Sequence, residues 1–211
     1  MLKTDELIQC LARQARPIRS LPAPWWRAVE WLSIALPAVA VVALLESPRD
    51  DLAEKLADIR FVTEQAAALA SAATAAAAAF AMVIPGEDRK LALLPVASIA
   101  VWLGSLGQTA SNTWLGGSDA FRLTVDWGCV PGIIAASALP GLAMIMMLRR
   151  GVPLAPHLTM ALGAFASTAV GDVGLRLFHP QDAGPMVLIW QFGSVMLLSG
   201  LAAWAGRRIL D

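Results

Sequence analysis

Charge is scarce in this chain. Only 15% of its 211 residues are Asp, Glu, Lys or Arg, while 57% are hydrophobic and the mean hydropathy is +0.63. A soluble domain usually carries about 25% charged residues, so a water-soluble enzyme or a nucleic-acid-binding domain is a poor fit. Cysteine is scarcer still, with Cys10 and Cys129 alone. Two cysteines this far apart make no disulfide framework and no cysteine-rich zinc module. Walker A, zincin, GxSxG and Rossmann patterns are all missing. So are a convincing internal repeat of the kind many transporters carry and a cleavable signal peptide of the usual form. The formal net charge is zero, and the distribution of charge says more than its sum.

What is present is apolar sequence in blocks of roughly 16–24 residues, the length that crosses a bilayer core of about 30 Å as a helix. The expected fold is all-α: a polytopic membrane protein of six transmembrane helices. The blocks fall at approximately 26–45, 61–84, 91–107, 128–148, 156–178 and 185–205. Trp25, Trp26 and Trp31 mark an interfacial entry to the first. The second is rich in alanine, and small residues let helices approach closely in lipid, which suits the inside of a bundle. With the N-terminus cytoplasmic, that side holds Lys3, Arg13, Arg16, Arg19, Arg27, Arg89, Lys90, Arg149, Arg150, Arg207 and Arg208. The far side holds Arg49, Lys55, Arg60, Arg122 and Arg176. The bias is positive-inside, and six crossings return the C-terminus to the cytoplasm.

Ahead of the blocks lies a polar arm, residues 1–25, distinct from the membrane domain, residues 26–211. Thr4 reads as an N-cap, with Asp5 and Glu6 suited to the first turn. Leu7, Ile8, Leu11 and Ala15 then form one apolar stripe at helical spacing. Pro17 ends this helix, and Pro22 and Pro24 keep the next stretch extended. Such a helix either lies on the membrane surface or presents its stripe to a partner's groove. The stripe is narrow and flanked by acids, whereas an anionic surface favours Lys and Arg there. The partner reading fits better. On the far side, residues 46–60 suggest a short amphipathic helix, and Asn112, Gly116 and Gly117 mark turns in the loop 108–127.

Few residues suit chemistry. On this topology Cys10 and Cys129 stand on opposite sides of the membrane and cannot bridge within one chain. Cys129 is either a small buried hydrophobe or a thiol open to oxidants and soft metals. With His179, Asp126 and Asp182 it makes at most an incomplete metal site, lacking the ligand spacing of structural zinc. Asp172 is the most deeply intramembrane carboxylate, and such acids are costly. Arg176, four residues on, is placed to neutralise it as an intramembrane ion pair while reaching outward. Arg27 and Glu30 make a weaker case near the inner boundary. No cofactor is expected.

Several short motifs carry a resemblance. They are Lys3-Thr-Asp-Glu-Leu7, Pro17 through Arg19 to the Pro22/Pro24-Trp25 entry, and Ile84-Pro85-Gly86. Leu91-Ala-Leu-Leu-Pro95, Trp127-Gly-Cys129, Arg149-Arg150-Gly151 with Pro153, and His179-Pro180-Gln181-Asp182 ahead of Trp190 complete them. In order and spacing across nearly the whole chain, these resemble the NrsF family of membrane-bound negative regulators of extracytoplasmic-function sigma factors. The resemblance implies a non-enzymatic, multi-pass protein of the bacterial inner membrane, with no direct contact to nucleic acid. Its arm would hold the sigma factor through Thr4, Asp5, Leu7, Ile8, Leu11 and Arg16. The family commonly carries two outer-face cysteines linked to stress or heavy-metal sensing. Here Cys129 matches one, and His179 stands where the second is expected. That departure removes a two-thiol switch and leaves a Cys–His pair that could hold a soft or borderline metal. The alternative is a small transporter or channel, which the few ionisable residues in the blocks disfavour.

Overall fold

Pro24 and Pro156 stand in the opening turns of the helices they begin, where proline's missing N–H costs nothing and its fixed φ suits the helix. Between such starts, the apolar blocks form long helices. The computed structural model describes residues 4–14, 21–115, 128–180 and 187–210. Among these the elements are α1 (Thr4–Gln14), α2 (Pro24–Leu45), α3 (Leu52–Ala57), α4 (Ile59–Ala81), α5 (Pro95–Leu115), α6 (Cys129–Leu148), α7 (Pro156–Phe178) and α8 (Gly193–Leu210). A 3₁₀ turn, Arg89–Leu93, leads into α5, and a π-helical turn, Val187–Phe192, leads into α8. No strand occurs among the described residues. The fold is all-α.

Among the described residues, five segments are long and apolar enough to cross a membrane: Pro24–Leu45, Arg89–Gln108, Cys129–Leu148, Pro156–Phe178 and Val187–Leu210. The helix of the alanine-rich block, α4, is as long as α7 but less apolar. Alanine contributes little hydropathy per residue, and Glu64 and Gln65 subtract from it. Yet α4 packs on α7, α5 and α2, and Ala68, Ala72, Ala75, Ala76 and Ala79 are wholly buried. In lipid, helices associate through close van der Waals contact rather than a hydrophobic drive. A helix of alanine supplies that contact on every side.

The central helix is α7, packed on α8, α6, α4 and α2. The core between them holds Trp31, Phe80, Trp102, Met144 and Leu148. Trp102 meets Phe165 and Phe192 edge-on, with ring centroids 6.4 and 5.2 Å apart. Outward faces carry Leu44, Val101, Leu142, Met146, Leu197 and Leu201, all exposed. Apolar surface on this scale is foreign to soluble monomers and is what a membrane covers.

One detail differs from the pattern of the sequence. The helix of the third block runs on to Leu115, so Asn112 lies inside α5 rather than in a turn. Gly116 and Gly117 lie outside the described residues. The segment after the first block does fold into a short helix, α3, and Asp58 then caps α4 by accepting from the Arg60 N–H at 2.9 Å.

Candidate functional site

The arm helix is strongly amphipathic in sequence, with Asp5 and Glu6 near its N-terminus and Arg13 in its last turn, an arrangement that complements the helix dipole. Thr4 is itself helical rather than flanking. Ile8 is 58% exposed, and Thr4, Glu6, Gln9, Cys10 and Arg13 are exposed with it. Asp5, Leu7 and Leu11 belong to α1 by backbone. Arg16 lies outside the described residues.

Backbone and side-chain bonds sort the long helices into two ends. At one end Arg27 Nη2 donates to the Met147 carbonyl at 2.5 Å, with its guanidinium 4.5 Å from the Phe80 ring centroid. Arg149 Nε donates to the Ile209 carbonyl at 2.7 Å, and His157 Nδ1 meets the Ala203 carbonyl at 2.8 Å. The Val152 N–H donates to the Val83 carbonyl at 3.1 Å. A Cβ on Gly151 would fall 2.7 Å from Val83 Cβ, so this close approach requires glycine. Each bond ties the end of one helix, or the segment just beyond it, to a neighbouring one. Arg27, read from the sequence as a minor boundary residue, is one of these ties.

The other end holds Cys129 and His179. Cys129 opens α6 and is fully buried, in a cluster with Ile133 and Leu175 that Phe178, Trp190 and Leu198 cover. The His179 N–H donates to the Leu175 carbonyl at 2.8 Å and closes α7. Leu175 thus links the two positions: its side chain packs with Cys129 and its carbonyl receives the His179 backbone. Neither Cys10 nor Cys129 forms a disulfide. Among the described residues, no three of His, Cys, Asp and Glu gather closely enough to hold a metal. Asp126 and Asp182 lie outside the described residues. Beside His179, Arg49 is buried in a polar recess with Ser47, Asp50, Asp51, Phe178 and Pro180. Its N–H donates to the Leu177 carbonyl at 3.0 Å, and its guanidinium grips Asp51 at 2.5 and 2.9 Å.

Between α4 and α7, toward this same end, lies a buried charge cluster. Arg176 Nη1 donates to Glu64 Oε2 at 2.7 Å, with both residues 4% exposed. The Arg176 guanidinium also lies 4.9 Å from the Phe61 ring centroid, within cation–π range. Asp172, 2% exposed, acts on Arg176 electrostatically, but its Oδ1 accepts no hydrogen bond. The guanidinium has gone across to α4 rather than back along its own helix or out to the surface. A charge-assisted bond between two helices gains both pairing and packing. Glu64 was not among the residues singled out by sequence. It sits inside the second apolar block, and the cost of an acid among apolar residues applies to it as much as to Asp172.

A family profile described as "NrsF: Negative regulator of sigma F" matches residues 11–211. No curated protein and no solved structure matches the chain. Thr4, Asp5, Leu7 and Ile8 precede the matched span, whereas Leu11, Arg16, Cys129, Asp172, Arg176 and His179 lie within it. A match over nearly the whole chain, on a helical bundle with an amphipathic arm, means that this protein belongs to the NrsF family of negative regulators of sigma F.

Proposed function

We propose that the protein is an anti-sigma factor of the bacterial inner membrane that sequesters an extracytoplasmic-function sigma factor on its N-terminal arm. All six long helices cross the bilayer, with both termini cytoplasmic. The end marked by Arg27 faces the cytoplasm, and the end marked by Cys129 faces the periplasm. The observation that carries this reading is the family match over an apolar bundle preceded by a separate amphipathic helix. The exposure of Ile8 supports a role as an anchor together with Leu7 and Leu11. Helix-in-groove recognition reads such positions, and a few buried apolar anchors supply most of the affinity in interfaces of this kind.

The reading has a direct test. Deleting residues 1–20 while keeping the bundle should abolish co-purification of the cognate sigma factor. Ile8→Asp alone should weaken capture by roughly 30-fold or more, the effect of losing a hot-spot side chain of about 2 kcal/mol. Capture that survives the deletion would place the binding surface elsewhere.

Release then requires a signal at the periplasmic end that binds or reacts differently in the holding and releasing states. Cys129 is packed under Phe178, Trp190 and Leu198, so a metal ion or oxidant reaches it only when that cover moves. Cys129→Ser should therefore change induction of the sigma regulon by metals or oxidants. Unchanged dose–response curves would remove Cys129 from sensing. A transport pathway would need polar groups in series across the bundle. Glu64, Asp172 and Arg176 instead form one cluster in one half of it.

A further inference from the structure

The turn that leads into α8, Val187–Phe192, is the one π-helical stretch among the described residues. A π turn closes its hydrogen bonds at i→i+5 instead of i→i+4, so it holds one residue more than an α-helix needs over the same path. Such turns are rare and are found mostly at functional sites. The residues of this one face different surroundings. Val187 is buried in the main core, and Phe192 meets the Trp102 ring edge-on. Ile189 is exposed. Trp190 packs on the cluster of Cys129, Ile133 and Leu175.

Gln191 lies between the two aromatic residues and is 1% exposed. Among the described residues, neither its Nε2 nor its Oε1 has a hydrogen-bond partner. An amide buried in this way has given up water for nothing, and the arrangement that buries it bears the full desolvation cost. At the downstream edge of the turn the Ser194 hydroxyl donates to the Trp190 carbonyl. A hydroxyl on that carbonyl competes with the backbone N–H that would continue the helix. A Cβ on Gly193, at the junction with α8, would meet nothing within 4 Å, so the backbone there has room to turn.

We propose that this segment is a register switch that uncovers Cys129. It combines a surplus residue, an unmet amide and a tryptophan laid over the thiol. When the π turn passes one helical turn further along α8, each residue it passes takes the place of its successor. That is a rotation of about 100° and an advance of about 1.5 Å. Trp190 then leaves the Cys129 cluster for the place Gln191 held. The Gln191 amide swings out of the core to the partly exposed position of Phe192. The unmet amide opposes the closed register, and the packing of Trp190 and Phe192 favours it. The switch names what moves in the proposed sensing role of Cys129, but it belongs to the bundle alone and does not require a sigma factor.

Alkylation of Cys129 by N-ethylmaleimide, in the full-length protein in lipid nanodiscs, tests it. Mass spectrometry of the peptide that carries Cys129 keeps its signal apart from that of the exposed Cys10. Gln191→Leu removes the unmet amide and should slow the alkylation roughly tenfold or more, the scale set by one buried polar group without a partner. Deleting Ile189 removes the surplus residue, leaves no second register and should slow it as well. Leu148→Val thins the core at the opposite end of α6, roughly 28 Å away along the helix, and lowers global stability. It should leave the rate at the wild-type value, because the opening is local. The proposal is overturned if folded Gln191→Leu or the folded Ile189 deletion is alkylated as fast as wild type. It is equally overturned if Leu148→Val speeds alkylation in step with its loss of stability, the mark of exposure by global unfolding.

Discussion

Arg176→Leu should lower the unfolding free energy of the purified bundle by about 3–5 kcal/mol, the usual cost of removing one partner from a buried ion pair. The substitution leaves Glu64 buried without the guanidinium that bonds it at 2.7 Å. It also removes the cation over the Phe61 ring. Denaturant titration in detergent, followed by far-ultraviolet circular dichroism, reads the effect. A companion variant assigns the cause. Replacing Glu64 and Arg176 together by Leu removes both charges at once, and apolar replacement of a whole buried pair is often neutral. The double variant should therefore be more stable than Arg176→Leu alone, a non-additive result expected of residues in contact. If the double variant loses as much as the sum of the two single ones, the pair is not the source of the stability. Arg176→Lys should fall between, since a point charge does not reproduce the planar fork or its stacking.

Gly174→Ala should separate α2 from α7 at a cost of about 1–3 kcal/mol, the range for overpacking a filled core. A Cβ at this position would collide with Val39 Cγ1 and fall 3.5 Å from Val39 Cβ. Val39 is buried and β-branched, so its side chain has little freedom to turn away. One of the helices has to move. Val39→Ala alone should also destabilise, by leaving a cavity. Combining the two places the new methyl group in the space the valine vacated. The double variant should recover a substantial part of the loss, with a coupling energy of roughly 0.5–3 kcal/mol. Thermal melts of the four proteins in one detergent give the cycle. Additive losses would mean that the two positions do not share one contact.

Much of the architecture could be read from hydropathy because a bilayer imposes a length on each apolar helix. The start of α7 was visible at Pro156, whereas Pro24, read as keeping its stretch extended, instead opens α2 in the first turn; the segment 46–60 showed its short helix through apolar positions spaced among acids. The end of α5 was not visible. Gln108, Asn112 and Thr113 look like loop residues, but the helix continues through them to Leu115. At the candidate sites the sequence marked individual residues but not their partners. Asp172 and Arg176 are four apart, so a pair along one helix was the local inference. Which carboxylate the guanidinium bonds depends on how α7 is rotated against α4, a property of tertiary packing that spacing does not carry. Glu64 was hidden by its surroundings: one acid at the head of a run of alanines looks like the edge of a loop. The burial of Cys129 also needed the third dimension, because Phe178, Trp190 and Leu198 cover it from two other helical segments.

The composition of α4 bears on how the protein is made. On the proposed topology this helix must enter the bilayer, yet among the described residues it is the one long helix too weakly apolar to qualify as a span by itself. An ionised acid near the middle of a spanning helix opposes insertion by about 2.5–3.5 kcal/mol on the translocon scale, and near the end of α4 Glu64 carries part of that burden. The helix that supplies its counter-charge, α7, is synthesised about a hundred residues later. During translation α4 therefore has neither the hydropathy to commit early nor the partner that would hold it. Its lateral exit from the translocon is tied to the arrival of later helices, so the bundle assembles around its least lipid-soluble member.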